Sequence, residues 1–108
     1  MVEKQIDIII KKYIEKLMYE NIPINKVILY GSFAGGCADK DSDIDLAVIS
    51  PVLGYDRFDE ALMLKRLARG IDLNISPRPY SVKQYWSAGQ GDFLFDEIIQ
   101  KGKTVYEE

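Results

Sequence analysis

The chain has 108 residues, 47% of them hydrophobic and 29% charged, a balance typical of one globular domain spanning residues 1–108, with no apolar run long enough to cross a bilayer. A net charge of −3 argues against strong nucleic-acid binding, and the absence of histidine excludes serine–histidine and cysteine–histidine catalysis. The single cysteine, Cys37, cannot form an internal disulfide and is expected to be inert, and the lack of a signal-peptide pattern predicts a cytoplasmic protein.

The first half of the chain alternates a helix with two strands. Residues 2–20 carry apolar side chains at intervals of three and four, which indicates an amphipathic helix. Residues 26–30 are typical of a buried strand, and residues 33–38 of a short helical piece. Residues 42–49 alternate in polarity, which predicts a half-buried strand with its aspartates on one face.

The second half also combines helices and strands, in a different order. A helix is predicted over residues 55–69, with Phe58 among its side chains available for burial. Residues 71–76 alternate again and predict a third strand, which Pro77 and Pro79 should end. Two helical segments and a short terminal strand follow, over residues 81–86, 92–100 and 103–106. We therefore expect an α/β (α+β) fold: a mixed or antiparallel sheet with helices packed on one face and an open opposite face.

Three aspartates are the candidate catalytic and metal-binding residues. Asp43 and Asp45 lie two residues apart in a strand, so both carboxylates should leave the same face, and Asp72 holds the equivalent position on the next strand. Adjacent carboxylates repel each other, and divalent cations relieve that repulsion. Three acids on one face are able to hold two magnesium ions, and Asp72 is also placed to accept a proton.

The acidic segment fits two simpler structures less well. A calcium loop of the EF-hand type would need glycine where Ile44 stands and glutamate where Ser50 stands. A solvated acidic loop accounts for Asp39 and Asp41, but not for aspartates that alternate with apolar residues.

Gly31 and Ser32 are the candidate nucleotide-binding residues. A glycine at the end of a strand lets a ligand approach the backbone, and the Ser32 hydroxyl is able to donate to a phosphate oxygen. The segment is not a P-loop, because no Gly-Lys-Ser/Thr follows. Arg78, Lys40 and Lys83 are each able to reach phosphate, but the solvated surface is the expected place for all three. Tyr30, Trp86 and Phe93 are expected in the core or an interface rather than as base-stacking groups.

Residues 31–36, Gly-Ser-Phe-Ala-Gly-Gly, followed by residues 41–46, Asp-Ser-Asp-Ile-Asp-Leu, resemble the signature of the polymerase-β-type nucleotidyltransferases, and within them the minimal nucleotidyltransferase (MNT) family. The resemblance implies the nucleotidyltransferase fold, ATP as donor, two Mg²⁺ ions, and transfer of AMP to a hydroxyl acceptor. It also implies a partner toxin of the HEPN family, which the protein would neutralise as an antitoxin by adenylylation. One departure is Gly35, where the family often has arginine.

Two alternative functions remain open. The first is a non-catalytic module of the same fold that neutralises its partner by occlusion, which the departure at Gly35 favours. The second is transfer to a small molecule such as an antibiotic, for which a chain of this length would need to form a homo-oligomer to build an acceptor pocket. A second chain is the expected source of acceptor recognition, because larger nucleotidyltransferases use an additional domain for it.

Overall fold

The computed structural model describes residues 2–36, 38–39 and 41–108, and for residues 2–4 the backbone only. The predictions made for Cys37 and Lys40 therefore lie outside the described residues. The elements in chain order are α1 (Val2–Tyr19), β1 (Lys26–Tyr30), α2 (Ser32–Gly35), β2 (Ile44–Ile49), α3 (Arg57–Ala68), β3 (Ile75–Tyr80), α4 (Val82–Ser87), α5 (Leu94–Ile99) and β4 (Lys103–Glu107). Of these, α5 is a π-helical segment.

The strands form one mixed sheet in the order β3-β2-β1-β4. Strand β1 pairs antiparallel with both β2 and β4, whereas β2 and β3 are parallel. A parallel pair needs a crossover connection, and α3 provides it. The predicted fold class, a mixed sheet with helices, is confirmed.

One face of the sheet is covered by α1 and α3. The apolar stripe of α1 supplies buried side chains at helical spacing, Ile6, Ile10, Tyr13 and Leu17. Leu64 and Ala68 of α3 complete this cluster. The Tyr13 hydroxyl, which is fully buried, donates a hydrogen bond of 2.8 Å to the Leu64 carbonyl and so ties the two helices together.

The opposite face is less open than expected. Ala47 and Ile49 of β2 pack there with Leu94 and Ile98 of α5 in a second apolar cluster, to which α4 also contributes. The cause is the sequence of β2 itself, because its last residues are apolar on both faces and need cover on both. The end of this face that carries Asp45 opens onto a cavity.

The third strand begins later than predicted and runs through both prolines. Pro77 and Pro79 are tolerated because β3 is an edge strand. The Asn74 carbonyl accepts a hydrogen bond from the Ile44 amide, and the Tyr80 carbonyl accepts one from the Ser50 amide. The backbone polar groups of the even-numbered residues of β3 therefore point toward β2, and the nitrogens of Pro77 and Pro79 point away from the sheet. Consequently residues 71–74 form a turn, and Asp72 is not on a strand.

Within the described part of the chain, none of the helices combines the length and hydropathy needed to cross a membrane.

Candidate functional site

The site begins where β1 ends. Tyr30 lies opposite Asp45 in the antiparallel pair, and the chain then leaves the sheet at Gly31. Gly31 has φ 76° and ψ −147°, a conformation that essentially only glycine adopts. A Cβ atom built on Gly31 would collide with Oδ2 of Asp45. The carboxylate of Asp45 therefore lies directly against the backbone of Gly31, which explains why glycine is required there.

The negative charge of Asp43 affects the ionisation of Asp45, as the two-residue spacing of these aspartates predicts. Asp45 is half-buried at the start of β2, and Asp43 is exposed just before the strand. Burial raises the pKa of the Asp45 carboxyl above its usual value, the negative charge of Asp43 raises it further, and Arg78 partly opposes both effects. A divalent cation between these two carboxylates would relieve the same repulsion, so the pair suits one such ion.

Asp45 and Gly31 open onto a cavity of about 480 Å³, a volume within the range of small-molecule sites. Its walls come from the ends of β1 and β2, from β3 and from α5, and its lining residues are Tyr30, Gly31, Asp45, Ser76, Pro77, Arg78, Phe93 and Glu97. The cavity thus places a glycine backbone, the carboxylates of Asp45 and Glu97 and the guanidinium of Arg78 around one space.

Arg78 belongs to the cavity, although the sequence pattern favoured the solvated surface for it over a contact with phosphate. It is partly buried in the cavity, with its guanidinium carbon 4.4 Å from the centre of the Phe93 ring. Phe93 in turn makes an edge contact with Tyr30, with ring centres 6.1 Å apart. The two-residue period of a strand could have indicated this position for Arg78. When β3 continues through its prolines, Ser76, Arg78 and Tyr80 lie on the same face of the sheet as Asp45.

Asp72 does not join the other two acids. Its Oδ1 accepts a hydrogen bond of 2.8 Å from the Asn74 amide, within the turn before β3. It lines a separate cavity on the α1 side of the sheet, together with Ile6, Phe33 and Ser42, and this cavity shares no residue with that of Asp45. Among the described residues, no group of three or more aspartates, glutamates or cysteines could hold a metal ion. The predicted three-acid face is therefore wrong in its geometry, because Asp72 precedes its strand.

The segment after Gly31 is shorter than predicted. Helix α2 is a single turn, in which the Gly35 amide donates to the Gly31 carbonyl at 3.0 Å. Ser32 is exposed at its start. The structure thus brings Gly31, Ser32, Asp43 and Asp45 to one end of the sheet, and it adds Arg78.

The site thus places a glycine and a carboxylate pair at one end of the two central strands of a mixed four-stranded sheet. The sequence model of the family described as "Polymerase beta, Nucleotidyltransferase" matches residues 11–108. The chain belongs to this family of nucleotidyltransferases.

Several solved structures are similar to this chain. A toxin-antitoxin with AMP-PNP is 27% identical, with a TM-score of 0.59, and the match covers 90% of this chain and 73% of that one. A Sulfolobus solfataricus protein described as a candidate nucleotidyltransferase is 17% identical, with a TM-score of 0.71 over 99% of this chain and 86% of that one. An MNT antitoxin in complex with a tri-AMPylated Shewanella oneidensis HEPN toxin is 23% identical, with a TM-score of 0.56 over 100% of this chain and 74% of that one.

At 17 and 23% identity, the last two structures show the shared fold. The toxin-antitoxin MntA-HpeT is 20% identical and likewise shows the shared fold. Comparison with curated protein sequences finds no match.

Proposed function

We propose that this protein is a magnesium-dependent nucleotidyltransferase that transfers AMP from ATP to a hydroxyl of a partner protein. The partner is a HEPN-family toxin in the cytoplasm, and the protein acts as its antitoxin. The observation that carries the proposal is the carboxylate of Asp45, which lies against the Gly31 backbone in a cavity of nucleotide-binding size. The similarity to a toxin-antitoxin with AMP-PNP supports the donor and the partner.

The residues divide between metal and phosphate. Asp43 and Asp45 would hold magnesium: burial raises the pKa of Asp45, the charge of Asp43 raises it further, and a bound cation would relieve the repulsion between the two acids. Asp43 and Asp45 would be the residues that hold the ion, which would offset their negative charges and supply Lewis-acid chemistry toward a phosphate oxygen. Gly31 offers an approach to the backbone that a side chain would close, and Ser32 offers an exposed hydroxyl donor to the outer phosphates.

The assignment of Asp72 as a third ligand needs a separate test. Its carboxylate is engaged in the turn before β3 and faces a different cavity. We therefore expect the pair Asp43 and Asp45 to bind one magnesium ion without Asp72. A second ion would need ligands from the triphosphate or from the partner.

The test is label transfer. The protein is incubated with magnesium, ATP labelled at the α-phosphate, and the HEPN-type protein encoded beside it. We expect labelled partner with the wild type and none with Asp45→Asn, because the pair loses a charged ligand. Asp72→Asn should retain transfer. Asp7→Asn, which removes the same charge from an exposed position on α1, is the matched control. Transfer that survives both Asp43→Asn and Asp45→Asn would reject the scheme.

One observation favours a second function, a non-catalytic module that neutralises its partner by occlusion. The described residues bring two aspartates together at this end of the sheet, where the expected mechanism used three. If the complex forms and protects against the toxin, but no variant or wild type transfers label, occlusion is the function. The Asp45→Asn variant should then neutralise the toxin as well as the wild type does.

A further inference from the structure

One positively charged side chain, that of Arg78, lines the cavity and has no role in the proposed function. Asp45 pairs with Ser76 in the parallel register between β2 and β3, and Arg78 is the next residue of β3 on that face. Arg78 lines the same cavity as Gly31 and Asp45. Among the described residues Arg78 takes part in no close ion pair, although its charge acts on Asp45 and its side chain makes a hydrogen bond with Tyr30.

The guanidinium of Arg78 is held in place rather than free in solvent. Phe93 stacks against it at 4.4 Å, and the Phe93 ring is itself packed on Tyr30. An arginine whose plane is fixed in advance loses less conformational freedom when its fork of donors binds an anion. This is the arrangement expected of a binding group, whereas a solvated arginine would be mobile.

Arg78 is the one basic side chain among the described residues that line the cavity, whose carboxylates are Asp45 and Glu97. A magnesium ion between Asp43 and Asp45 would cancel those two charges, and the negative charge of a phosphate chain would remain. A guanidinium is well matched to phosphate oxygens, with which it forms paired charge-assisted hydrogen bonds.

We propose that Arg78 is a phosphate-binding residue, which holds the triphosphate chain of the donor nucleotide on the wall of the cavity opposite Gly31. The inference rests on the proposed function, since it takes the donor to be a nucleoside triphosphate. It adds a positively charged contact from β3 to a site that the sequence placed entirely on residues 31–45 and Asp72.

The first experiment measures binding of a non-hydrolysable ATP analogue with magnesium by isothermal titration calorimetry. Arg78→Gln should weaken binding by about 10- to 100-fold, the range for losing hydrogen bonds to a charged group. Arg78→Lys should fall in between, because it keeps the charge and loses the fork. Arg66→Gln on α3 removes the same charge from an exposed position across the sheet, and it should stay within roughly twofold of the wild type.

The outcomes separate this inference from the proposed function. If Arg78→Gln binds like Arg66→Gln while Asp45→Asn loses affinity, the role of Arg78 is refuted and the site stands. If the wild type binds no triphosphate, both ideas fall. If Arg78→Gln unfolds because Phe93 loses its contact, a measurement on the wild-type protein tests the role of Arg78 instead. Its Arg78 Nε–H resonance, identified by its absence in Arg78→Lys, must shift when inorganic triphosphate is added, and an unchanged resonance refutes the proposal.

Discussion

Replacement of Gly31 by alanine tests the close contact on which the site depends. Two effects act together in this variant. Alanine must adopt φ 76° and ψ −147°, and its Cβ must displace the Asp45 carboxylate. The carboxylate is the end of a short side chain, so it yields by rotating away from its preferred position.

The size of the effect follows from these two terms. A non-glycine residue in this region of backbone torsions costs about 1 to 3 kcal/mol, and an off-rotamer carboxylate about 0.5 to 1.5 kcal/mol. Gly31→Ala should therefore lower the free energy of unfolding by about 2 to 4 kcal/mol. Gly36 provides a matched control, because it has the same φ of 76° but a ψ of 13°, and a Cβ there meets open space. Gly36→Ala should cost only about 1 to 2 kcal/mol.

Urea unfolding followed by far-ultraviolet circular dichroism measures both variants. A double-mutant cycle with Asp45→Ala isolates the contact, since removal of the carboxylate should return about 1 kcal/mol to the Gly31→Ala protein. The reasoning is refuted if Gly31→Ala and Gly36→Ala are equally destabilised and the cycle is additive. Magnesium-dependent binding of the ATP analogue should be lost in Gly31→Ala and retained in Gly36→Ala.

Three further predictions concern charge, a helix position and the core. Burial and the charge of Asp43 raise the pKa of Asp45 in the folded protein, so the free energy of unfolding falls as the pH rises from the usual carboxyl pKa to the raised one. Asp45→Asn should therefore have a higher urea midpoint than the wild type near pH 7 and the same midpoint near pH 3. Gly35→Arg should raise the free energy of unfolding by roughly 0.5 kcal/mol, because a Cβ there meets open space and glycine weakens a helix. It should also tighten triphosphate binding in calorimetry, since it restores the arginine that the family often has at this position, and weaker binding would contradict this. Tyr13→Phe should lower the free energy of unfolding by about 1 to 2 kcal/mol in urea, since the Leu64 carbonyl loses its donor, and an unchanged midpoint would show the bond to be unimportant.

The sequence predicted well those elements whose period is unambiguous. The stripe of α1 specified both the element and its buried face, because burial on one side enforces the period. The alternation around Asp45 specified the strand, but not the burial of Ala47 and Ile49 on the face of Asp45. Helix α3 was less determinate. Its apolar residues are spread around the axis, and Phe58, expected to be available for burial, is 73% exposed, whereas Leu64 is fully buried.

The error over Asp72 has a single physical origin. The alternation of residues 71–76 and the prolines after it predicted a strand that starts early and ends early, yet an edge strand accepts proline at outward positions. A strand that starts at Ile75 leaves Asp72 in the turn and brings Arg78 onto the face of Asp45. Edge position depends on the order of the strands, which local sequence does not contain.

The prolines of β3 also bear on how the protein avoids self-association. A free sheet edge offers hydrogen-bonding groups on which a further chain can assemble. Along the outer side of β3, Pro77 and Pro79 have no N–H to offer, and the Ile75 carbonyl already accepts from the Lys65 ammonium. This side of the sheet is thereby protected from edge-to-edge aggregation, even while its inner side pairs with β2 to build the cavity.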